Sequence, residues 1–187
     1  MSDERPAVNL SALAEACVQD AEEDPVPLGD LWANQRAVFV FLPPLRSKAA
    51  RMRLALVSEH LKPFRSLGAE VYLIGPNRPD QADRFEDAQK PDCELYVDPE
   101  RHAYRAAGLL KEDRKASQSS GILRSLAALL GASFEDVKEG VEYGGLVVIV
   151  PPGRVVFAHA AHAVDEPLPI KQAHEALKNS GWSHLAE

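Results

Sequence analysis

The chain has 187 residues, 45% hydrophobic and 26% charged, which suits a single globular domain with a sizeable core. No segment approaches the roughly 18 uncharged apolar residues of a membrane-spanning helix, and no basic excess marks a nucleic-acid binder. The net charge of −7 is unevenly placed: residues 1–35 hold eight acids and one base, residues 36–187 twenty of each, so an acidic leader precedes a neutral domain.

The N-terminus, Met1-Ser2-Asp3-Glu4-Arg5, is acidic and leads into no apolar h-region, unlike a secretory signal. Leu10, Leu13, Ala14, Cys17 and Val18 form an i, i+3, i+4, i+7, i+8 stripe that predicts a short amphipathic helix. It runs into the acidic stretch Asp20-Ala21-Glu22-Glu23-Asp24. Residues 1–24 thus read as a partly helical leader, and residues 25–187 as one domain with an insertion at about 111–142. The segment Pro25 to Trp32 predicts a turn and a short anchor.

Ala37 to Leu42 is a continuous apolar run, the signature of a strand covered on both faces, and Pro43-Pro44 ends it. A helix is expected over residues 47–67, with Lys48, Arg51, Ser58, Lys62 and Arg65 as its solvent stripe and Gly68 as its cap. Glu70 to Ile74 predicts a second buried strand. A polar helix near 79–89, a strand over 94–97 and a helix from Asp98 follow, with Asp98 as N-cap. The insertion combines a polar loop over 111–120 with an apolar helical stretch over 122–130, read as core or as a dimer surface. Leu146 to Val150 and Val155 to Ala158 predict a hairpin around Pro151-Pro152-Gly153-Arg154, and a last helix spans about 170–179. This alternation predicts an α/β architecture.

The order and spacing of several short segments resemble a known family. They include Val26-Pro27-Leu28-Gly29-Asp30-Leu31-Trp32, Ala37-Val38-Phe39-Val40-Phe41-Leu42, Leu67-Gly68-Ala69-Glu70-Val71 and Ile74-Gly75-Pro76. Further on come Val97-Asp98-Pro99-Glu100-Arg101, Tyr104-Arg105, Gly108-Leu109, Gly144-Gly145-Leu146-Val147-Val148, Pro152-Gly153-Arg154-Val155 and Ala158-His159. Over about residues 17–177 the chain resembles the AhpC/TSA-type peroxiredoxin-like antioxidant proteins, the group that includes prostamide/prostaglandin F synthase. The resemblance implies a thioredoxin-like fold, with a central mixed sheet flanked by helices.

It also implies a reactive Cys-x-x-Cys where the first buried strand meets its helix, after an Arg-His-Phe-Gly-like turn. A helix N-terminus favours a thiolate through its free N–H groups and dipole. Here Pro43-Pro44-Leu45-Arg46 replaces the turn, Ser47 the first cysteine and Ala50 the second. The segment from His159 to Asp165 also lacks the arginine often found after the matching histidine. Peroxide or endoperoxide reduction, the activity the resemblance implies, is therefore without its nucleophile.

Other residues offer weak substitutes. Ser47 reads as a helix cap; His60, thirteen residues along, would lie about 20 Å away along one helix. Cys93 sits between Asp92 and Glu94, which disfavours a thiolate, and Cys17 lies on the apolar stripe. The two cysteines form no Cys-x-x-Cys or metal-spaced cluster, and the expected location is the cytoplasm. His159-x-x-His162-x-x-Asp165 has metal-like residue types, but positions three apart on a strand face opposite ways unless the chain turns near Ala160. Arg46, Lys48, Arg51 and Arg53 crowd the helix start, either as a solvated face or as an anion site that the acidic leader itself could fill.

The reading is a redox-inactive binding or scaffolding module without metal or cofactor. Its ligand surface would be Arg46, Ser47, Lys48 and Arg51. The alternatives are thiol-dependent peroxide reduction through Cys17 or Cys93, and anion sensing at the Ser47 helix terminus. The partners in view are an unidentified protein, a small anion or a second copy of the chain.

Overall fold

Seven strands form one sheet in the order β2-β1-β5-β4-β3-β6-β7. The computed structural model describes residues 6–110, 143–163 and 165–181. The elements are α1 (Leu10–Glu15), β1 (Cys17–Gln19), β2 (Pro25–Pro27), α2 (Leu28–Leu31), β3 (Arg36–Phe41), α3 (Lys48–Ser58) and α4 (Leu61–Ser66). Then come β4 (Ala69–Gly75), α5 (Pro79–Gln89), β5 (Glu94–Val97), α6 (His102–Ala106), β6 (Gly145–Val150), β7 (Arg154–Ala160) and a last helix, α7 (Ile170–Lys178). The insertion expected at about 111–142, with its apolar stretch over 122–130, lies outside the described residues.

β3, β4 and β5 run parallel, while β6 and β7 pair antiparallel on the far side of β3. Right-handed crossovers between parallel strands advancing in one direction put α3, α4 and α5 on one face. Val38, Val40 and Leu42 point into that face and meet Leu54, Val57, Phe64, Phe85 and Leu177. Ala37, Phe39 and Phe41 alternate to the other face, where Leu13, Leu28, Trp32 and Tyr104 cover them. The six residues of β3 are buried throughout, which explains its unbroken apolar run.

Two expected elements differ. The helix over 47–67 is two helices, broken at Glu59 and His60. Pro63 is the physical cause: a proline has no N–H for the carbonyl four residues back, and its ring clashes there. The expected stripe survives the break, since Lys48, Arg51, Ser58, Lys62 and Arg65 are all exposed.

The leader stripe is likewise not one helix. α1 stops at Glu15, and Cys17 begins a strand that pairs with β2 and, through Gln19 opposite Val97, with β5. Val18 still reaches the core, but Cys17 does not: it is exposed instead of packed on an apolar stripe. Leu13 and Val18 bring this segment into the core of the same sheet.

Candidate functional site

The turn between β3 and α3 is fixed from three sides. Leu42 N donates to Ile74 O (2.8 Å), and Ser47 N donates to Pro44 O (2.8 Å). Leu45 N donates to Asn77 Oδ1 at 2.7 Å, and the Asn77 amide donates in turn to Gln81 Oε1 on α5. The Leu45 side chain lies over Gly75, where a Cβ would stand 3.0 Å from it and press Leu45 outward. From the opposite face the Tyr104 hydroxyl reaches both Leu42 O (2.6 Å) and Ile74 O (2.8 Å), sharing its proton between the ends of β3 and β4.

Asp98 positions that tyrosine. Its buried carboxylate accepts from His102 N (3.0 Å) and Tyr104 N (3.1 Å). Asp98 therefore caps α6 by side chain as the sequence predicts, although Arg101, in a left-handed conformation, occupies the formal N-cap position. Burial raises the Asp98 carboxyl above its ordinary range, and the three backbone N–H groups of Tyr104, Ala103 and His102 oppose that rise.

At the junction itself Ser47 is 2% exposed and its Oγ accepts from Ala50 N at 3.1 Å. The hydroxyl is thereby occupied as an N-cap. Ala50 is fully buried. His60 lies beyond the end of α3, its Nδ1 2.9 Å from Leu56 O, so no base approaches Ser47 from that position.

The four bases expected around the helix start divide. Arg53 does not join the others: it is 4% exposed, turned inward, and donates to Tyr143 O. Desolvation lowers its guanidinium to about 10, against the pull of Tyr104 and Glu166. Gly144, at φ +77°, makes room for it, because a Cβ there would overlap both Phe41 O and Arg53 Nη1. Helical periodicity does not reveal this, since the carbonyl that takes Arg53 lies 90 residues away.

Next to Arg53, β7 ends at Ala160 and the chain bends, which is the turn the histidine spacing required. His159 Nε2 lies 3.0 Å from Glu166 Oε1, and His162 N donates to Glu166 Oε2 at 2.6 Å. The convergence is thus on Glu166, not Asp165. Burial pushes the Glu166 carboxyl up, but the His162 N–H and both imidazoles outweigh it and hold it below the usual range. No cluster of three metal-ligating side chains occurs among the described residues.

Arg46 and Arg51 stay outside and line a cavity of about 220 Å³ between the turn and α5. Leu45 and Phe85 form part of its wall, and Gln81, Arg84, Ala88 and Gln89 of α5 also line it. Ser47 and Lys48 are not among its lining residues. Sequence reasoning missed Arg84; the available signal was the crossover rule, which puts α3 and α5 side by side. The acids of the β1–β2 turn, the described part of the acidic leader, face elsewhere. Asp20 Oδ1 accepts from Glu22 N and Asp24 N within the β1–β2 turn, and Glu22 acts on Glu86 instead.

The two thiols lie elsewhere. Cys93 is raised to about 11, first by burial and then by Asp92, Glu70 and Glu86, with Arg65 opposing. Cys17 is exposed in an open groove of about 530 Å³ that it shares with Glu15, His102 and Arg105.

A parallel β3-β4-β5 unit extended by an antiparallel hairpin, with a strand–turn–helix junction at its carboxyl end, defines a thioredoxin-like protein of the peroxiredoxin type. Solved structures agree: the Xanthomonas campestris bacterioferritin comigratory protein superposes with a TM-score of 0.70 at 18% identity, covering 94% of this chain and 98% of the other. The Mycobacterium tuberculosis peroxidoxin BcpB gives 0.67 at 15% identity over 97% and 100%. The sequence profile of the AhpC/TSA antioxidant enzyme family matches residues 55–163, and the chain belongs to that family. The matched span begins within α3, downstream of the turn at 43–47.

Among relatives, human Peroxiredoxin-like 2C is 27% identical over 161 residues, 80% of this chain and 71% of its own length. The chloroplastic thioredoxin-like protein AAED1 of Arabidopsis thaliana is 26% identical over 146 residues, 73% of this chain. The chain spans only 59% of that relative's length.

Proposed function

We propose that the protein is a redox-inactive member of its family, a binding module that uses the retained fold. The observation that carries this reading is Ser47, buried and committed as a cap where a redox thiol would stand. A serine hydroxyl there has no redox cycle, and no base adjoins it among the described residues. Of the two cysteines, Cys93 is held protonated near neutral pH and neither lies in the junction. The anion-sensing alternative falls within this reading, because it uses the same helix start.

A peroxide-consumption assay with thioredoxin or glutathione recycling tests the reading. Wild type and a Cys17→Ser/Cys93→Ser variant should both match the protein-free background. Thiol-dependent turnover in wild type that vanishes in the variant would replace it with the second reading, peroxide reduction through Cys17. That reading is favoured by the exposure of Cys17 beside His102 and Arg105. Cytoplasmic residence belongs to the proposal too. The Arabidopsis relative is named as chloroplastic, and a fluorescent fusion in the native host separates the two locations.

A further inference from the structure

We infer that the cleft between the 45–51 turn and α5 binds a small organic oxyanion, a carboxylate or phosphate monoester with a short apolar tail. This inference rests on the reading of the junction as a binding surface and names its ligand class. The charge comes first. Three guanidinium groups from separate points of the chain, Arg46, Arg51 and Arg84, line one cavity of about 220 Å³, and no acid is among the described residues that line it. Three cations around a common concavity repel one another unless an anion sits among them.

Their internal partners are slight. Arg51 Nη1 touches Arg46 O at 3.3 Å, a marginal bond. Arg84 has one carboxylate nearby, Asp80, at 3.8 Å, with both side chains largely exposed. Such i, i+4 surface pairs contribute little and yield readily to a better-placed anion. Elsewhere the fold treats arginines differently: Arg65 is shared by Glu70 and Asp92, and Arg53 is buried on a carbonyl. Among the described residues, the arginines of the cleft are more weakly paired than either of these.

The wall then narrows the ligand. Leu45 and Phe85 are 2% and 6% exposed, so carbon lies beneath the charged rim. Gln81 Oε1 is occupied by Asn77, which leaves its NH₂ group as a neutral donor on the cleft. Guanidinium forks recognise carboxylate and phosphate in two-point fashion, and an apolar wall rewards a ligand that carries carbon behind its oxyanion. Free phosphate satisfies only the rim. An extended acidic peptide satisfies the rim as well but cannot use the wall.

The test is calorimetric titration of the full chain with phenyl phosphate, benzoate, inorganic phosphate, neutral benzamide and hexaglutamate. Phenyl phosphate or benzoate should bind saturably, about tenfold tighter than inorganic phosphate, and benzamide should not bind. Whichever of the two binds better identifies the oxyanion. Arg51→Ala and Arg84→Ala should each weaken binding by about tenfold, the loss of one charge-assisted pair. Lys62→Ala, exposed on α4 and not among the residues lining the cleft, should leave it unchanged.

Equal weakening by Lys62→Ala, hexaglutamate binding as tightly as the aromatic anion, or no saturable binding would each overturn the inference. All three substituted residues are exposed, so melting curves should confirm an intact fold. Peroxide turnover is scored separately. Turnover with intact anion binding would sink only the redox-inactive reading; no turnover with no binding would sink only this one.

Discussion

α3 carries two kinds of arginine within one turn, and their surroundings separate structure from availability. On the β6 side, Arg53 is sealed under Gly144 and spent on Tyr143 O, with Glu166 and the histidine pair closing the region from β7. On the α5 side, Arg46 and Arg51 meet Arg84 with no acid among the described lining residues. On the first side Glu166 answers the histidine pair and Arg53 is held by a carbonyl, whereas the described lining of the second side carries a positive excess. A cluster of bases in a sequence therefore says nothing about binding until the fold has claimed its share.

The contrast can be broken most severely at Gly144. Gly144→Ala forces a side chain into a left-handed backbone position and against Phe41 O and Arg53 Nη1. The expected cost is about 3 kcal/mol, a fall of about 6–12 °C in melting temperature. Next comes Arg53. Arg53→Ala leaves a cavity and removes a donor to the Tyr143 carbonyl, and should cost about 2–4 kcal/mol in urea unfolding. Arg53→Met keeps the packing and removes a desolvated charge, so it should stay within about 1 kcal/mol of wild type. Because burial lowers the Arg53 guanidinium to about 10, the folded state releases its proton before the unfolded state does. Stability should then shift toward wild type, relative to Arg53→Met, as pH rises past that value.

Glu166 sharpens the comparison at acid pH. Its carboxyl is held below the ordinary range in the fold, so its contribution is complete above the unfolded value and disappears as pH falls through the folded one. The hydrogen-exchange protection factor of the His162 amide should fall as pH drops through the folded Glu166 value, and Glu166→Gln should show lower protection already at pH 7. The smallest stability effects belong to the other side. Arg46→Ala and Arg84→Ala should each change unfolding free energy by less than about 0.5 kcal/mol, because exposed, weakly paired cations support little of the fold.

Much of the architecture was legible because it is locally encoded. β3, β4 and β6 are covered on both faces, so their apolar runs are unbroken. Ser47 and Gly68 mark helix ends through hydrogen bonds to near neighbours. Pro63 was visible too, and its missing donor should have split the long helix. What stayed hidden depends on distant partners. Cys17 leaves its helical stripe because the chain there joins β2 and β5, a pairing that period alone does not encode. Arg53 reads as a surface base until Tyr143 meets it, and Arg84 joins the site only through the crossover that sets α5 beside α3. The histidine spacing was legible, but its convergence point was not, since Glu166 lies beyond the bend.

The placement of Glu22 has a kinetic consequence. The acidic turn between β1 and β2 comes near α5, where it joins Asp83 and Asp87 in acting on Glu86. The same helix presents Arg84 to the cleft. α5 thus separates a negative flank from a positive one, and an anion diffusing toward the molecule is turned away from the first and guided to the second. Its capture rate should fall steeply with ionic strength while its rate of departure changes little.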